Sequence, residues 1–202
     1  MAPLETIISP DTRRADRLPP NQTVTRGWPP MQWGEVPPFD VRTWDFTLFP
    51  RPLVDAVKRF TWPEFQSLPR VQVFADLHCS TGESKLDNLW EGVRTAELRK
   101  HAGLAPAARF VMVHCEYGFT ANLPIEDFFG EDCLLALRHN GADLAPEHGY
   151  PVRLVIPKLY ACKSAKWVRG IEFLSDDRPG FRDQPRRGDP WREERRRGES
   201  PA

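Results

Sequence analysis

Frequent prolines constrain the fold of this chain more than any other feature of its sequence. The 202 residues include 21 prolines and 13 glycines, which leave only short apolar stretches between them. Proline lacks the backbone N–H group and has a fixed φ angle, so it ends helices and is confined to the edges of sheets. Short strands, few short helices and no visible internal repeat predict a mixed α+β fold with β-rich cores.

Six apolar stretches are predicted as strands from their alternation or their β-favouring residues. The clearest alternation runs from Val71 into Cys79. The pair Asn140-Gly141 predicts a tight hairpin turn. Leu89–Val93 is predicted as a tight connector between elements. The six predicted strands lie within residues 39–53, 71–79, 108–113, 133–139, 152–156 and 166–174, and residues 116–124 are predicted as a turn followed by a further strand.

Two stretches are predicted as short helices. The first, Phe60–Leu68, has Thr61 in the N-cap position, Pro63 in the first turn and Glu64 at the third helical position. That spacing of threonine and glutamate is typical of a capping box, in which each side chain satisfies a backbone N–H group. The second predicted helix, Arg94–Ala102, is favoured by its helix-forming composition.

Polarity divides the chain into three parts. Residues 1–22 are polar and contain prolines, which predicts a flexible N-terminal arm. Residues 23–177 are long enough for one domain with a sizeable core. Residues 178–202 are rich in arginine but also contain acids, so they are interpreted as a solvated C-terminal extension rather than a nucleic-acid binding tail.

The start of the predicted domain combines prolines with large apolar side chains. Trp28, Met31 and Trp33 lie within residues 24–38, where the prolines exclude regular structure. Such a segment is predicted to wrap over a surface or a ligand, with these side chains as buried anchors. A clamped entry loop without a ligand is the alternative.

Charge and composition exclude several classes of function. Lysine plus arginine and aspartate plus glutamate both total 28, so no net field attracts nucleic acid or an anionic membrane. No apolar run is long enough for a signal peptide or a transmembrane helix. Four scattered cysteines are too few for a disulfide framework, and we therefore expect a cytoplasmic protein without a membrane span.

Cys79 is the first candidate functional residue. It lies where an apolar strand gives way to the polar sequence Ser80-Thr81-Gly82-Glu83, so the strand holds it on one side while a ligand can reach it from the other. A thiolate that reacts or binds a metal suits such a position. The alternative is a small buried hydrophobic residue, which is the usual state of free cysteine.

Two strands end in the same pair of residues, which raises the question of a zinc site. The pairs are His78-Cys79 and His114-Cys115, and together they contain the residue types of a Cys2His2 site. Neighbours on a strand point to opposite faces, however, so each pair offers one ligand to a shared site. No C-x-x-C spacing is present, and zinc binding is therefore disfavoured.

Two further groups of residues are candidate anion ligands. His148 lies in a glycine- and proline-containing loop, and Arg153 follows it inside a predicted strand. An inward-facing arginine requires an anion such as phosphate, whereas an outward-facing one is simply solvated. The loop of residues 163–166 carries lysines among small residues and is able to cradle an anion through its backbone N–H groups, although basic loops are usually solvated.

Four motifs of the chain, in their order and spacing, resemble the molybdopterin-binding domain of the sulfite oxidase family. The similarity is greatest to small soluble bacterial members without a haem or dimerisation domain, and it spans about residues 24–192. The closing motifs DRPGF and GDPW belong to it as well. The four motifs are DLHCSTGESKLDNLWEGV, GFTANLPIED, HGYPVRLVIPKLY and KSAKWVRGIEF.

The resemblance implies a Mo-molybdopterin cofactor and assigns roles to individual residues. Cys79 matches the cysteine whose thiolate binds molybdenum, which makes it the expected metal ligand and catalytic residue. His148 and Arg153 match the pair that holds the pterin phosphate. Cys115 occupies about the place of a further cofactor contact. The family's cofactor-binding loop is matched by Ser164, Ala165 and Lys166.

The resemblance further implies an enzyme that transfers an oxygen atom to or from a small oxo substrate in a two-electron reaction. Single electrons would pass through a separate electron-transfer partner. This chain departs from the family at Gly82-Glu83, where arginine or tryptophan often follows the cysteine. A carboxylate there would repel sulfite, so a neutral substrate such as a sulfoxide is at least as plausible. The alternative is a catalytically degenerate cofactor-binding protein of the same fold.

Overall fold

Two β-sheets make up most of the structure, a computed structural model that describes residues 3–27, 29–32, 34–49, 53 and 57–181. Twelve strands lie within these described residues. They are β1 (Thr6–Ile8), β2 (Thr23–Val24), β3 (Asp45–Phe49), β4 (Lys58–Thr61), β5 (Arg70–His78), β6 (Glu83–Arg94), β7 (Phe110–Cys115), β8 (Thr120–Pro124), β9 (Leu134–His139), β10 (Ala142–Asp143), β11 (Arg153–Val155) and β12 (Val168–Leu174).

Helical structure among the described residues is short. The α-helices are α1 (Trp62–Gln66) and α2 (Ile125–Phe128), and the 3-10 turns are Pro10–Arg13, Thr95–Lys100, Glu116–Gly118 and Pro146–His148. No helix in the described part of the chain has the length and apolar character needed to cross a membrane. Mixed sheets with a few short helices are the fold class that the sequence predicts, and that prediction is confirmed.

The seven-stranded sheet carries the candidate site. Its strands are ordered β1-β5-β6-β9-β10, with β11 paired to β9 and β2 paired to β6. The five-stranded sheet is ordered β4-β3-β12-β7-β8. β5 and β6 form an antiparallel hairpin, and β11 runs antiparallel to β9. The loop after β5 and the strand β11 thus belong to one sheet, which holds the Cys79 turn and Arg153 in fixed positions relative to each other.

The hydrophobic core lies on both faces of this sheet. In β9, Leu135 and Leu137 belong to a core that also contains Phe46 and Ile171 of the five-stranded sheet. Leu134 of the same strand belongs to a second cluster, with Ala136 beside it. This alternation follows from the two-residue period of a strand, and burial on both faces explains why β9 reads as a continuous apolar run.

Two local predictions are confirmed at their predicted places. In α1, the Thr61 backbone N–H group donates to Glu64 Oε2 at 2.8 Å, which is the glutamate bond of a capping box, and the Thr61 hydroxyl donates to the same oxygen at 2.7 Å. The Asn140-Gly141 turn joins β9 to β10, and both residues have positive φ angles of 49° and 82°. Such angles are typical of the tight hairpin that this dipeptide favours.

The prediction of a tight connector at Leu89–Val93 is wrong, because these residues lie inside the long strand β6. Gly92, which suggested a connector, is instead a point of close strand contact: a Cβ atom there would lie 2.1 Å from the Leu135 carbonyl oxygen. The predicted helix Arg94–Ala102 is also corrected, since only Thr95–Lys100 is helical and it is a 3-10 turn.

Other predicted boundaries also differ from the structure. The strand predicted within residues 39–53 is confined to β3, because residues 41–43 form a turn in which the Thr43 N–H group donates to the Asp40 carbonyl. Strand β4 was not predicted. Met31, predicted as a buried anchor, is 45% exposed. Trp28 and Trp33 lie outside the described residues, as does most of the predicted extension of residues 178–202.

Part of the predicted N-terminal arm lies in the sheet. β1 pairs in parallel with β5, the strand that leads to Cys79. Arg17 binds both carboxylate oxygens of Asp76, at 3.0 and 2.8 Å, and the Asp76 side chain is fully buried. A paired buried carboxylate of this kind is stable only with its partner present. The segment before residue 23 therefore supports the strand that carries the candidate site.

Candidate active site

Cys79 lies in the turn between β5 and β6. The Gly82 N–H group donates to the Cys79 carbonyl at 3.1 Å, and the Cys79 N–H group donates to the Glu83 carbonyl at 2.7 Å. Gly82 has a φ angle of +96°, which glycine adopts without the steric cost that a side chain would bring. The Cys79 side chain is half-buried, as a thiol held by the backbone and open to a ligand should be.

A chain of hydrogen bonds between neighbouring side chains stabilises this turn. The Gln22 side-chain amide donates to the Cys79 carbonyl at 2.9 Å, and the Ser84 hydroxyl donates to the Gln22 side-chain oxygen at 2.5 Å. His78 Nδ1 lies 2.7 Å from the same hydroxyl, and both residues are fully buried. Because Ser84 has a single proton and gives it to Gln22, His78 Nδ1 is the donor in that contact.

Arg153 in β11 faces inward. Its side chain is 5% exposed, and Nη1 donates to the His148 carbonyl at 3.1 Å. The neighbouring residues of the strand are buried as well, so the alternative of a solvated arginine is excluded. Burial lowers the pKa of Arg153 to about 10, and the negative charge of Cys79 offsets this effect in part.

Gly149 allows three candidate residues to approach one another. It follows the 3-10 turn that ends at His148 and has a φ angle of +111°. A Cβ atom at this position would lie 3.1 Å from the Cβ of Lys166 and 3.2 Å from that of Arg153. Both the angle and the space therefore require glycine, and its absence of a side chain brings the cationic side chains together.

The segment Ser164-Ala165-Lys166 runs along β11. The Leu154 N–H group donates to the Ala165 carbonyl at 2.8 Å, and the Ile156 N–H group donates to the buried Ser164 hydroxyl at 3.1 Å. Lys166 Nζ donates to the Glu147 carbonyl at 2.7 Å. These bonds hold the loop against the strand that carries Arg153.

One cavity brings together most of the predicted site residues. Its lining includes Cys79, His148, Arg153, Ser164, Ala165 and Lys166, which come from three separate stretches of sequence. Cys115 is not among the lining residues. It ends β7 with its side chain buried in the core, and this burial raises the pKa of its thiol.

Several lining residues were not predicted from the sequence. Lys85 of β6 faces the cavity, as do Glu116 and Tyr117 in the turn after β7. Tyr117 is 66% exposed and has a positive φ angle of 56°. The only sequence signal for this turn is Gly118, and it does not indicate which cavity the turn borders. Phe181, in the predicted DRPGF motif, also lines the cavity, and its ring centroid lies 5.0 Å from that of Phe119.

The electrostatics of the cavity suit an anion. The pKa of His148 is lowered by burial first and then by the charge of Arg153, with a further contribution from Lys166. The positive charges of Arg153 and Lys166 repel one another unless a negative charge lies between them. A phosphate satisfies this requirement, because the planar guanidinium fork and the lysine ammonium both bind phosphate oxygens. Cys79 on the same cavity offers a soft thiolate ligand, so the residues fit a cofactor with both a phosphate and a thiophilic metal.

The two His-Cys pairs do not form a shared metal site. His78 binds Ser84, and His114 Nε2 lies 2.9 Å from Glu172 Oε2 in the other sheet. Among the described residues, no group of three or more histidine, cysteine, aspartate or glutamate side chains is arranged to hold a metal ion. A single thiolate completing the coordination of a metal that a cofactor already holds is compatible with this arrangement.

Comparison with known proteins identifies relatives over most of the chain. A family model described as the oxidoreductase molybdopterin binding domain matches residues 33–182. The chain is 44% identical over 191 residues to the uncharacterized oxidoreductase YuiH of Bacillus subtilis, covering 91% of this chain and 96% of that protein. It is also 26% identical to a sulfite oxidase of Arabidopsis thaliana and 27% identical to a nitrate reductase of Hordeum vulgare.

This chain spans less than half the length of the Arabidopsis and Hordeum relatives. The matches cover 64% of this chain and 42% of the Arabidopsis protein, and 73% of this chain and 20% of the Hordeum protein. Among solved structures, the sulfane dehydrogenase SoxCD from Paracoccus pantotrophus shares the fold with a TM-score of 0.63 at 21% identity, over 73% of this chain and 41% of that one. The chain therefore belongs to the oxidoreductase molybdopterin-binding domain family, whose cofactor is Mo-molybdopterin.

Proposed function

We propose that this protein is an oxidoreductase that transfers an oxygen atom to or from a small oxo compound in a two-electron reaction, with molybdenum bound by Cys79. The observation that carries the proposal is that Cys79 and the buried Arg153, distant in sequence, line the same cavity. The relatives named as an oxidoreductase, a sulfite oxidase and a nitrate reductase support the class of reaction.

Cys79 is proposed to act as the protein ligand of the metal. A thiolate is a soft ligand, and a metal already held by sulfur atoms of its cofactor accepts it readily. The turn that bears Cys79 is fixed by hydrogen bonds to Gly82, Glu83 and Gln22, so the sulfur atom is held before the cofactor binds. Such preorganisation reduces the entropy lost on binding.

Arg153, His148 and Lys166 are proposed to hold the phosphate of the pterin. The Arg153 guanidinium provides charge and a planar pair of donors, and Lys166 provides a second positive charge. The Ser164 hydroxyl and the Ala165 carbonyl keep their loop against β11 by accepting bonds from its backbone N–H groups, which fixes the position of Lys166. Cys115 lies behind the cavity lining, so any contribution from it would be made through the turn that follows β7.

When bound, the cofactor would supply the two-electron chemistry, and the protein would hold and orient it in this cavity. Tyr117 and Phe181 border that cavity. A sulfoxide-like or sulfite-like compound is the proposed substrate. Single electrons are proposed to pass to or from a separate electron-transfer partner, and a cytoplasmic location is proposed from the sequence alone.

The test is to produce the protein in a host that makes the cofactor and to measure molybdenum and pterin per chain. We expect about one molybdenum per chain in the wild type, and turnover of a small oxo compound that is lost in Cys79→Ser. Cys162→Ser is the matched control, because Cys162 is also half-buried and lines the same cavity. Loaded protein without turnover of any oxo donor or acceptor would instead support the catalytically degenerate alternative.

A further inference from the structure

Glu83 begins β6 immediately after the turn that bears Cys79. Its carbonyl accepts a hydrogen bond from the Cys79 N–H group at 2.7 Å, so the two residues face each other across the end of the hairpin. Ser84, the next residue, is fully buried against His78. Because strand residues alternate between faces, Glu83 and Lys85 both face the cavity on the opposite side from Ser84.

The carboxylate of Glu83 has no partner among the described residues: it makes neither a hydrogen bond nor an ion pair with any of them. The other acid that lines the cavity is different, because Glu116 Oε1 accepts a bond from Arg169 Nη1 at 2.6 Å. The charge of Glu116 is thus neutralised by the protein, whereas the charge of Glu83 acts on whatever enters beside Cys79.

None of the cationic side chains that the structure describes in this cavity forms an ion pair with Glu83. Arg153 Nη1 and Lys166 Nζ donate to backbone carbonyls of the turn at residues 146–148. Gly149 has no side chain and therefore leaves space for these two residues to approach each other. The proposed function assigns them to the cofactor phosphate. Lys85 faces the cavity, and its positive charge lowers the pKa of His139, a residue at the end of β9.

We propose that Glu83 is a specificity-determining residue that disfavours anions next to Cys79 and selects neutral or cationic oxo compounds over sulfite-like anions. Selection among substrates rests on the proposed function. The effect of the Glu83 charge on any molecule near Cys79 does not depend on it. A carboxylate in a partly desolvated cavity repels a second negative charge more strongly than it would in water. A neutral sulfoxide feels no such repulsion.

The direct test compares two alkylating reagents that differ in charge. Iodoacetate and iodoacetamide react with the same thiolate at nearly the same size, and each forms a C–S bond as iodide leaves. The ratio of their rates at Cys79, followed by mass spectrometry of the cofactor-free full-length chain, reports the local charge. A change in the pKa of the thiol affects both reagents equally and cancels in this ratio.

We expect Glu83→Gln to raise the iodoacetate-to-iodoacetamide ratio on the order of fivefold, and Glu83→Lys to raise it further, as Coulomb energies at partly buried sites predict. High salt should reduce the difference. Glu131→Gln is the control, because Glu131 is exposed and does not line the cavity. An unchanged ratio in both Glu83 variants would overturn the proposal.

The consequence for catalysis is measured on the molybdenum-loaded protein. The KM for sulfite should fall on the order of fivefold in Glu83→Gln, while the KM for dimethyl sulfoxide should change by less than about twofold. Equal changes for both compounds would also count against a charge effect. If the loaded wild type turned over no oxo compound, the proposed function would fail, and the alkylation ratio would still decide the role of Glu83.

Discussion

Replacing Arg153 by methionine tests whether the buried charge of this residue contributes to ligand binding or to the stability of the fold. Burial lowers the pKa of Arg153 from the ordinary value of a guanidinium group to about 10. At about 1.4 kcal/mol per pKa unit, this difference corresponds to roughly 3 kcal/mol that the charge costs the cofactor-free protein at neutral pH. Methionine has a similar unbranched stem without the charge, so it removes this cost while filling most of the space.

The gain is reduced by the contacts that Arg153 makes. Its bond to the His148 carbonyl at 3.1 Å contributes about 1 kcal/mol, and its guanidinium lies 5.9 Å from the ring of Trp90, a contact worth about 0.5 kcal/mol. With these two contacts counted, we expect Arg153→Met to stabilise the cofactor-free protein by at most about 1–2 kcal/mol. The same variant should lose most of its molybdenum, because the proposed phosphate ligand is absent.

The difference in stability between the wild type and Arg153→Met should depend on pH. The pKa of Arg153 is lower in the folded than in the unfolded state, so the unfolded state binds more protons between about pH 10 and 12.5. The stability cost of the charge is complete below pH 10 and disappears as the pH rises through this window. The advantage of Arg153→Met over the wild type should therefore shrink above pH 10.

The assay is urea denaturation of the cofactor-free proteins, together with molybdenum per chain after production with cofactor. Arg169→Met is the control, because ion pairs with Asp45 and Glu116 raise the pKa of Arg169. Its loss should destabilise the protein by about 1–3 kcal/mol, the opposite direction. A destabilised Arg153→Met variant, or one that retains molybdenum at the wild-type level, would contradict this role of the Arg153 charge.

Three further predictions concern the surroundings of the site. Gly149→Ala should lower the free energy of unfolding by about 2 kcal/mol or more in urea, since its φ is +111° and its Cβ would lie 3.2 Å from that of Arg153; a wild-type midpoint would exclude this crowding. Ser84→Ala removes the hydroxyl beneath the Cys79 turn and should cost about 2 kcal/mol, whereas Thr81→Ala in the turn itself should cost little. Burial, more than neighbouring charges, lowers the pKa of His139 to about 4 in the folded state. The melting temperature should therefore fall as the pH drops from 6.5 to 4, and this fall should be smaller in His139→Gln.

The sequence predicts elements well where the signal is local. The strand that ends at Cys79 and the hairpin at Asn140-Gly141 depend on residues that are neighbours in the chain, and both are confirmed. Leu89–Val93 was misassigned because Gly92 resembles a turn residue. The reason for that glycine is the close approach of the Leu135 carbonyl from a neighbouring strand, and this contact is not encoded locally.

The candidate site was predictable to a similar degree. The motifs identify Cys79, His148 and Arg153, which line one cavity. Lys85 and Tyr117 also line it, but they were not predicted, because β6 had not been recognised as one long strand and the turn after β7 has no distinctive sequence. The inward direction of Arg153 likewise depends on burial of β11 on both faces, which alternation alone does not indicate.

X-ray absorption at the molybdenum edge measures whether the Cys79 sulfur binds molybdenum in the loaded protein. The wild type, Cys79→Ser and Cys162→Ser are compared after loading with cofactor in the same host. We expect Cys79→Ser to lose one sulfur neighbour of the metal relative to the wild type, while Cys162→Ser keeps the full number. An identical number of sulfur neighbours in the wild type and Cys79→Ser would contradict the assignment of Cys79 as the metal ligand.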